Sequence, residues 1–158
     1  MAKPKRLCPD LVSEMTTVAT PRVLFADTDK MGIVYHASYL RYLEMARVEF
    51  IRQTGSPYTE LEALGFGLPV SELALHYHAP GEYDDRMTLR VALSLVSPVR
   101  VHFDYRVQVL AGDRRGLERD IDLLSAQTRH ACVRARDGRP QPLPDQFYAL
   151  LSSRVTSR

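Results

Sequence analysis

The sequence predicts an α+β domain in which one antiparallel five-stranded sheet packs against a single long helix. A long helical pattern occurs once, in residues 36–55, where apolar side chains recur every three or four positions. Most of the later patterns instead alternate with period two, as half-buried strands do. One strand before the helix and four strands after it complete the predicted order.

The long helix is predicted from the run HASYLRYLEMARVEFIRQTG at residues 36–55. Gly55, followed two residues later by a proline, is typical of a helix end. Additional apolar side chains widen the helix face, so we expect the helix to be covered on more than one side. The central row of apolar side chains has spacings of four, three and four residues: Tyr39, Leu43, Ala46 and Phe50.

A pair of strands joined by a tight turn is the clearest β signal. In residues 99–109 apolar side chains occupy every second position, and charged or polar side chains lie between them. The run before it alternates in the same way from Met87 to Leu95. Because only Ser97 and Pro98 separate the two runs, we predict an antiparallel hairpin.

Three further segments complete the predicted sheet. Residues 17–29, TVATPRVLFADTD, are predicted to form a first strand that Pro21 interrupts early. Residues 69–78 are predicted as a strand with leucine and tyrosine side chains on one side. Residues 117–136 hold the last strand, where a break in the alternation predicts a bulge near residues 123–126.

Length, composition and charge describe one globular domain. A chain of 158 residues can bury one full core, and 45% hydrophobic with 25% charged residues is ordinary for a globular protein. We expect a flexible lead-in over residues 1–16, one domain over residues 17–151 with a short closing helix at 143–151, and a flexible tail over 152–158. A net charge of +2 does not favour nucleic-acid binding.

The cysteines and the N-terminus favour a cytoplasmic protein. Cys8 and Cys132 lie far apart and have no zinc-ligand spacing, so reduced thiols are the simpler interpretation. The basic start MAKPKRLCPDL lacks the apolar core of a signal peptide. No run approaches the roughly 18 apolar residues that span a bilayer.

The polar run DTDKMGIVYH, residues 27–36, joins the first predicted strand to the helix. Spacing alone does not make Asp27 and Asp29 a catalytic pair, because a turn that begins at Thr28 would separate them. Such carboxylates also cap turns by accepting backbone N–H groups. The position nevertheless favours chemistry, because a helix start presents unpaired N–H groups that stabilise an oxyanion. A carboxylate beside it could attack a carbonyl or activate water.

Other polar residues have structural explanations from the sequence alone. His36 lies at the predicted helix start, where capping is a sufficient reason for a polar side chain. His76 and His78 share a strand face and could chelate a metal, but no third ligand is placed, which favours a solvated face. Glu44 pairs most simply with an arginine three residues away. Three arginines could meet a phosphorylated ligand or lie at solvated strand ends: Arg100, Arg134 and Arg136.

The segment RVLFADTDKMGIVYHASYLRYLEMARVEF, residues 22–50, resembles the signature of hotdog-fold acyl-CoA thioesterases. The resemblance extends over about residues 20–150 and is to the 4-hydroxybenzoyl-CoA thioesterase superfamily, in particular its bacterial branch associated with the Tol-Pal system. It implies an antiparallel sheet wrapped around a long helix and subunits that pair into one continuous sheet. It also implies a homodimer or homotetramer with active sites at the subunit interface, and chemistry that needs no metal or redox cofactor.

The resemblance implies different roles for the two aspartates. The family's catalytic aspartate directly precedes x-x-G, which here is Asp29, and Asp27 becomes a supporting turn residue. The contact to the substrate carbonyl is a backbone N–H at the helix start, which maps to the amide of His36. The His36 side chain matches the histidine of the Tol-Pal branch and would position the substrate or assist proton transfer. Further substrate contacts are expected from Tyr35, Arg100, Arg134 and Arg136.

The implied reaction is hydrolysis of an acyl-CoA thioester, or of an acyl-carrier-protein thioester, to a free acid and a thiol. Asp29 would act either as nucleophile, through a transient anhydride, or as general base on water, and the sequence does not choose between them. The chain departs from its relatives before Thr128, where many carry a glycine, and in the stretch RDIDLL.

Two other functional classes remain at this point. Hotdog dehydratases and hydratases act on the acyl chain, and their histidine and acid pattern differs from DTDxxGxVYH. Non-catalytic hotdog proteins bind acyl-CoA or act as interaction modules, and the intact Asp29 and Gly32 argue against this class.

Overall fold

The computed structural model describes residues 14–155, and its centre is a five-stranded antiparallel sheet packed against one long helix. Residues 1–13 of the predicted lead-in and residues 156–158 of the predicted tail lie outside this range, as does Cys8. Over the described part of the chain, no helix has the length and apolar character needed to cross a membrane. The elements in chain order are β1 (Thr16–Ala19), α1 (Tyr39–Gln53), α2 (Tyr58–Ala63), β2 (Phe66–Gly67), β3 (Val70–Tyr77), β4 (Met87–Ser97), β5 (Arg100–Val109), β6 (Ile121–Ala131), β7 (Val133–Arg134) and α3 (Asp145–Ser152).

The sheet has the strand order β1-β4-β5-β6-β3, and every neighbouring pair is antiparallel. The predicted hairpin is confirmed, because β4 and β5 pair from Ser97 opposite Arg100 back to Met87 opposite Val109. The predicted inner face is also confirmed from Val101 to Val109, whereas Val99 lies before β5 and is 38% exposed. The apolar side chains of this face are fully or almost fully buried in the hydrophobic core, to which α1 also contributes: Val101, Phe103, Tyr105, Val107 and Val109.

The outer face of the sheet is polar but not simply solvated. Asp104 and Gln108 are buried there, although the alternation places them opposite the core. The Asp104 carboxylate accepts hydrogen bonds from Ser94 at 3.1 Å and from Gln127 at 2.7 Å. Polar side chains on neighbouring strands therefore satisfy one another by hydrogen bonds on this face.

Two bulges change which side chains reach the core. The register of β4 shifts between Leu93 and Leu95, so Leu93 is fully buried while Leu95 is 37% exposed. The prediction that Leu95 continues the inner face is therefore wrong, because a bulge turns the later side chains to the other side. The bulge predicted in β6 is confirmed, since Leu123 is the extra residue and both it and Leu124 are buried.

The first strand and the long helix are both shorter than predicted. β1 ends at Ala19, before Pro21, and a 3₁₀ turn at Phe25–Asp27 replaces the rest of the expected strand. A second 3₁₀ turn, His36–Ser38, precedes α1. The short closing helix is confirmed as α3, whereas α2 and the two-stranded β2–β7 sheet were not predicted.

Candidate active site

Asp29 lies in a tight hairpin between the two 3₁₀ turns. The Asp29 N–H donates to the carbonyl of Ile33 at 2.9 Å, and the Gly32 N–H donates to the carbonyl of Asp29 at 2.9 Å. Thr28 and Val34 form a bridge that closes this hairpin. Gly32 has φ +78°, a conformation that favours glycine and explains the glycine of the D-x-x-G motif. The backbone therefore holds Asp29 in one orientation.

The Asp29 carboxylate is half-buried, and one of its oxygens is already used by the turn. Oδ1 accepts the Met31 N–H at 2.8 Å, as in an Asx turn. The other oxygen, Oδ2, receives no hydrogen bond from any residue between 14 and 155. This oxygen can therefore receive a proton or attack a carbon without first breaking a protein contact.

Asp27 has a different environment, because its carboxylate is 3% exposed and faces α1. Its Oδ2 accepts the Leu24 N–H at 3.1 Å and the hydroxyl of Tyr42. Its Oδ1 accepts from the Arg41 guanidinium. These contacts anchor the 3₁₀ turn to the helix and occupy the carboxylate.

The start of the helical region presents an open backbone donor. The His36 N–H is the first of the 3₁₀ turn and has no acceptor among the described residues. The His36 carbonyl accepts the Tyr77 hydroxyl at 3.0 Å, and its ring lies 4.3 Å from the Tyr35 ring, measured between centroids. The free amide has the character of an oxyanion-binding donor.

Asp29 and His36 line one cavity of about 460 Å³. The structure thus brings together the two residues predicted to be catalytic. Aromatic and apolar residues form the remaining walls, which suits a ligand with a large apolar part. The lining residues are Asp29, Ile33, Val34, His36, Tyr39, Tyr77, His78, Ala79 and Pro80.

Three aromatic residues of this cavity were not predicted as part of the site. Burial raises the pKa of Tyr39 to about 12 and also raises the pKa of Tyr77, so both phenols are neutral at neutral pH. His78 accepts from or donates to the Ser125 hydroxyl at 2.8 Å, and burial together with His76 lowers its pKa. The His76 and His78 rings stack at 5.0 Å between centroids.

Tyr35 and the three arginines do not line this cavity within one chain. Tyr35 and Arg100 are exposed, and Arg100 begins β5 at the hairpin turn. Arg134 in β7 pairs with Asp137 at 3.2 Å, and Arg136 is exposed in the turn that follows. Their predicted substrate contacts remain predictions.

A second cavity of about 380 Å³ lies between α1 and the inner face of β3, β5 and β6. Its polar end is a hydrogen-bonded chain whose direction follows from chemistry. The Leu68 carbonyl can only accept, so the His130 Nδ1 must donate to it at 2.8 Å, and Nε2 must then accept the Thr128 hydroxyl at 2.8 Å. Thr128 in turn accepts the Tyr105 hydroxyl at 2.8 Å. Burial lowers the pKa of His130 to about 4, consistent with this neutral tautomer.

Glu44 lies at the rim of the second cavity and forms no ion pair within residues 14–155, so the predicted helix pair is wrong. Arg41 instead reaches Asp27, and the Arg47 guanidinium lies 5.2 Å from the centre of the Tyr58 ring. An exposed ion pair between neighbouring turns of a helix contributes only about 0.3–0.5 kcal/mol to stability. The contacts of Arg41 and Arg47 with residues outside α1 therefore replace a pair with Glu44.

Comparison with known proteins places these features in a family. The thioesterase-like superfamily model matches residues 23–151 of the chain. The acyl-CoA thioesterase YbgC from Haemophilus influenzae is 30% identical over 129 residues, which are 81% of this chain and 88% of that protein. The 1,4-dihydroxy-2-naphthoyl-CoA hydrolase from Thermosynechococcus vestitus is 28% identical over 132 residues, 83% of this chain and 85% of that protein.

Solved structures agree with the fold. The hypothetical protein TT1821 from Thermus thermophilus superposes with a TM-score of 0.76 at 36% identity, covering 87% of this chain and 98% of the other. The 4-hydroxybenzoyl-CoA thioesterase structure has a TM-score of 0.75 at 19% identity, which is informative about the fold alone. The chain therefore has the hotdog fold and belongs to the thioesterase-like superfamily.

Proposed function

We propose that the protein is an acyl-CoA thioesterase that hydrolyses its substrate to a free acid and coenzyme A. The observation that carries the proposal is the cavity in which the Asp29 carboxylate and the start of the helical region at His36 meet. Relatives named as acyl-CoA thioesterase and as an acyl-CoA hydrolase support this reaction class. Acyl-carrier-protein thioesters present the same reacting group, and we include them as a second substrate form.

In the proposed mechanism the thioester carbonyl oxygen lies at the His36 amide. That amide has no competing protein acceptor among the described residues, and helix-end N–H groups carry positive partial charge. Negative charge develops on the carbonyl oxygen as the tetrahedral intermediate forms, so a donor fixed at this position stabilises the transition state more than the substrate.

Asp29 supplies the second half of the chemistry through Oδ2. As a general base it takes a proton from water, and the hydroxide attacks the carbonyl carbon. As a nucleophile it forms an acyl–aspartyl anhydride, which water then hydrolyses. In both routes the C–S bond breaks, the thiolate leaves and takes up a proton, and the acyl group leaves as a carboxylate. The His36 side chain, exposed at the mouth of the cavity, would position the substrate or assist the proton transfer.

The assembly and setting belong to the same proposal. β3 is an edge strand of the sheet and carries exposed apolar side chains at Val70, Leu73 and Tyr77, which supports pairing of two subunits into a homodimer or homotetramer. Pairing along β3 is also a route by which Tyr35, Arg100, Arg134 and Arg136 could reach a partner's substrate. We also propose that the protein belongs to the Tol-Pal-associated branch and is located in the cytoplasm. Its chemistry is proposed to need no metal or redox cofactor.

The test is thiol release from a panel of acyl-CoA substrates that vary in chain length and aromaticity. Asp29→Asn should lower turnover at least about a hundredfold, the scale of a lost general base, while circular dichroism shows an intact fold. Asp145→Asn, an exposed aspartate on α3, is the matched control and should retain wild-type turnover. Near wild-type turnover in folded Asp29→Asn would remove Asp29 from the mechanism. Absence of thiol release both across this panel and from acyl-carrier-protein thioesters would instead favour a hydratase or a non-catalytic binding protein.

A further inference from the structure

One wall of the Asp29 cavity is a loop from a distant part of the chain. We call residues 79–85 the wall segment, because Ala79 and Pro80 line the cavity directly. The wall segment is bonded to the hairpin that carries Asp29, since the Val34 N–H donates to the Gly81 carbonyl at 2.8 Å and Ile33 forms a bridge with Glu82. Any displacement of the wall segment therefore moves the hairpin.

Close packing makes this coupling stiff. A Cβ atom on Gly81 would lie 2.9 Å from the Tyr39 hydroxyl oxygen and 2.9 Å from a Val34 methyl carbon. The Gly81 N–H also donates to the Tyr39 hydroxyl at 3.3 Å. The wall segment, the Asp29 hairpin and the first turn of α1 thus meet with no space for relative movement.

Arg114 holds the wall segment from the loop between β5 and β6. Its guanidinium binds the Asp85 carboxylate through two bonds, Nε to Oδ1 at 2.7 Å and Nη2 to Oδ2 at 2.6 Å. The same side chain donates to Glu82 at 2.8 Å and to the Pro80 carbonyl at 3.1 Å. One side chain therefore contacts three residues of the wall segment, including a cavity-lining one.

The Arg114–Asp85 ion pair is largely shielded from solvent and has a two-bond geometry. The Asp85 carboxylate is 1% exposed and the Arg114 side chain 20% exposed, so solvent screens their attraction only partly. The geometry is the two-bond fork that arginine makes with carboxylates and that lysine cannot reproduce. The Asp85 Oδ2 accepts the Glu82 N–H at 2.7 Å as well, which fixes the carboxylate within the wall segment.

We propose that Arg114 is a positioning residue for the thioesterase reaction, which holds the Asp29 hairpin in its working position through Asp85, Pro80 and the wall segment. The inference rests on the proposed function of Asp29. Arg114 itself does not line the cavity and touches none of the reacting atoms. Its effect is on the placement of the Asp29 carboxylate relative to the His36 amide, and misplacement of reacting groups by about 1 Å can cost about a hundredfold in rate.

The experiment compares Arg114→Gln with Arg115→Gln, a neighbouring exposed arginine that makes the same charge change in the same loop. We expect Arg114→Gln to lower kcat per folded molecule about 10- to 100-fold with a smaller change in KM, and Arg114→Lys to recover part of the loss. Arg115→Gln should retain wild-type kcat. Unchanged kcat per folded molecule in Arg114→Gln, or an equal loss in Arg115→Gln, would overturn the proposal.

Two further measurements keep the outcome decisive. Arg114→Gln leaves the Asp85 carboxylate buried and unpaired, which by itself could prevent folding. The double variant Arg114→Gln/Asp85→Asn removes that buried charge, and we expect it to fold but to have a low kcat. A wild-type kcat in the double variant would contradict the positioning role. Hydrogen exchange at the Val34 amide gives a readout independent of activity. It should be faster in Arg114→Gln than in Arg115→Gln, and equal rates would refute the coupling even if the thioesterase assignment itself fails.

Discussion

Replacing Asp27 by asparagine tests whether the two aspartates of the DTD run have separate roles. The change keeps the size of the side chain but replaces one carboxylate oxygen with an NH₂ group and removes the charge. The asparagine oxygen can keep the contacts to the Leu24 N–H and the Tyr42 hydroxyl, while its NH₂ group faces the Arg41 guanidinium. The perturbation therefore weakens the anchor of the 3₁₀ turn without touching the cavity.

The expected cost follows from these three contacts. Hydrogen bonds to a charged group contribute about 1.5–3 kcal/mol each, roughly twice the value for neutral partners, so loss of charge removes about 1 kcal/mol from each of the two retained bonds. Arg41 is 66% exposed, which limits its share to below about 1 kcal/mol. A total of about 2–3 kcal/mol corresponds to a fall in Tm of roughly 4–12 °C for a chain of this size.

The assay combines thermal unfolding by circular dichroism with thiol release well below the transition of the variant. Asp27→Asn should show the lower Tm but keep turnover within about tenfold of wild type, less than the at least hundredfold loss expected for Asp29→Asn. Asp29→Asn is the matched comparison, because it makes the same chemical change two residues away. If Asp27→Asn instead left the Tm unchanged and lost as much turnover as Asp29→Asn, Asp27 would be catalytic. That result would refute the division of roles between the two aspartates.

The secondary structure was predictable where side-chain periodicity alone decides burial. In β5 every second residue from Val101 to Val109 enters the core, as alternation requires. Periodicity failed to predict that Leu95 leaves the core, because one extra backbone residue in β4 reverses which side chains face inward. No residue type before that bulge signals it in the sequence. It also failed to predict that Asp104 is buried, because that depends on polar neighbours from two other strands.

The site was predictable only where it is local in the chain. Asp29 and His36 lie seven residues apart, so a hairpin that runs into a helix start brings them to one place, and the family resemblance separated Asp29 from Asp27. His78 and Arg114 come from segments more than 40 residues away. The sheet order and the path of the β5–β6 loop bring them near Asp29, and no pattern within those segments predicts that.

The remaining predictions concern a close contact and a buried titratable group. Gly81→Ala should lower both Tm and turnover, because its Cβ would lie 2.9 Å from the Tyr39 hydroxyl oxygen, and overpacking of this kind costs about 1–3 kcal/mol. Gly67→Ala is the control, since its Cβ would meet a Val133 methyl at an ordinary 3.9 Å, and equal effects of the two variants would contradict the packing argument. For His130, burial lowers the pKa from 6.5 to about 4, so between these pH values the unfolded chain binds a proton that the folded chain does not. The contribution to the free energy of unfolding is therefore complete above about pH 6.5 and declines as the pH falls toward 4, by up to about 3 kcal/mol. His130→Gln keeps a donor and an acceptor for Leu68 and Thr128 but cannot titrate, so urea unfolding at several pH values should show a shallower decline than in wild type. His78 and His102, whose pKa values are also lowered, contribute to the slope that remains. Identical slopes in the two proteins would mean that the His130 imidazole is not held neutral by its burial.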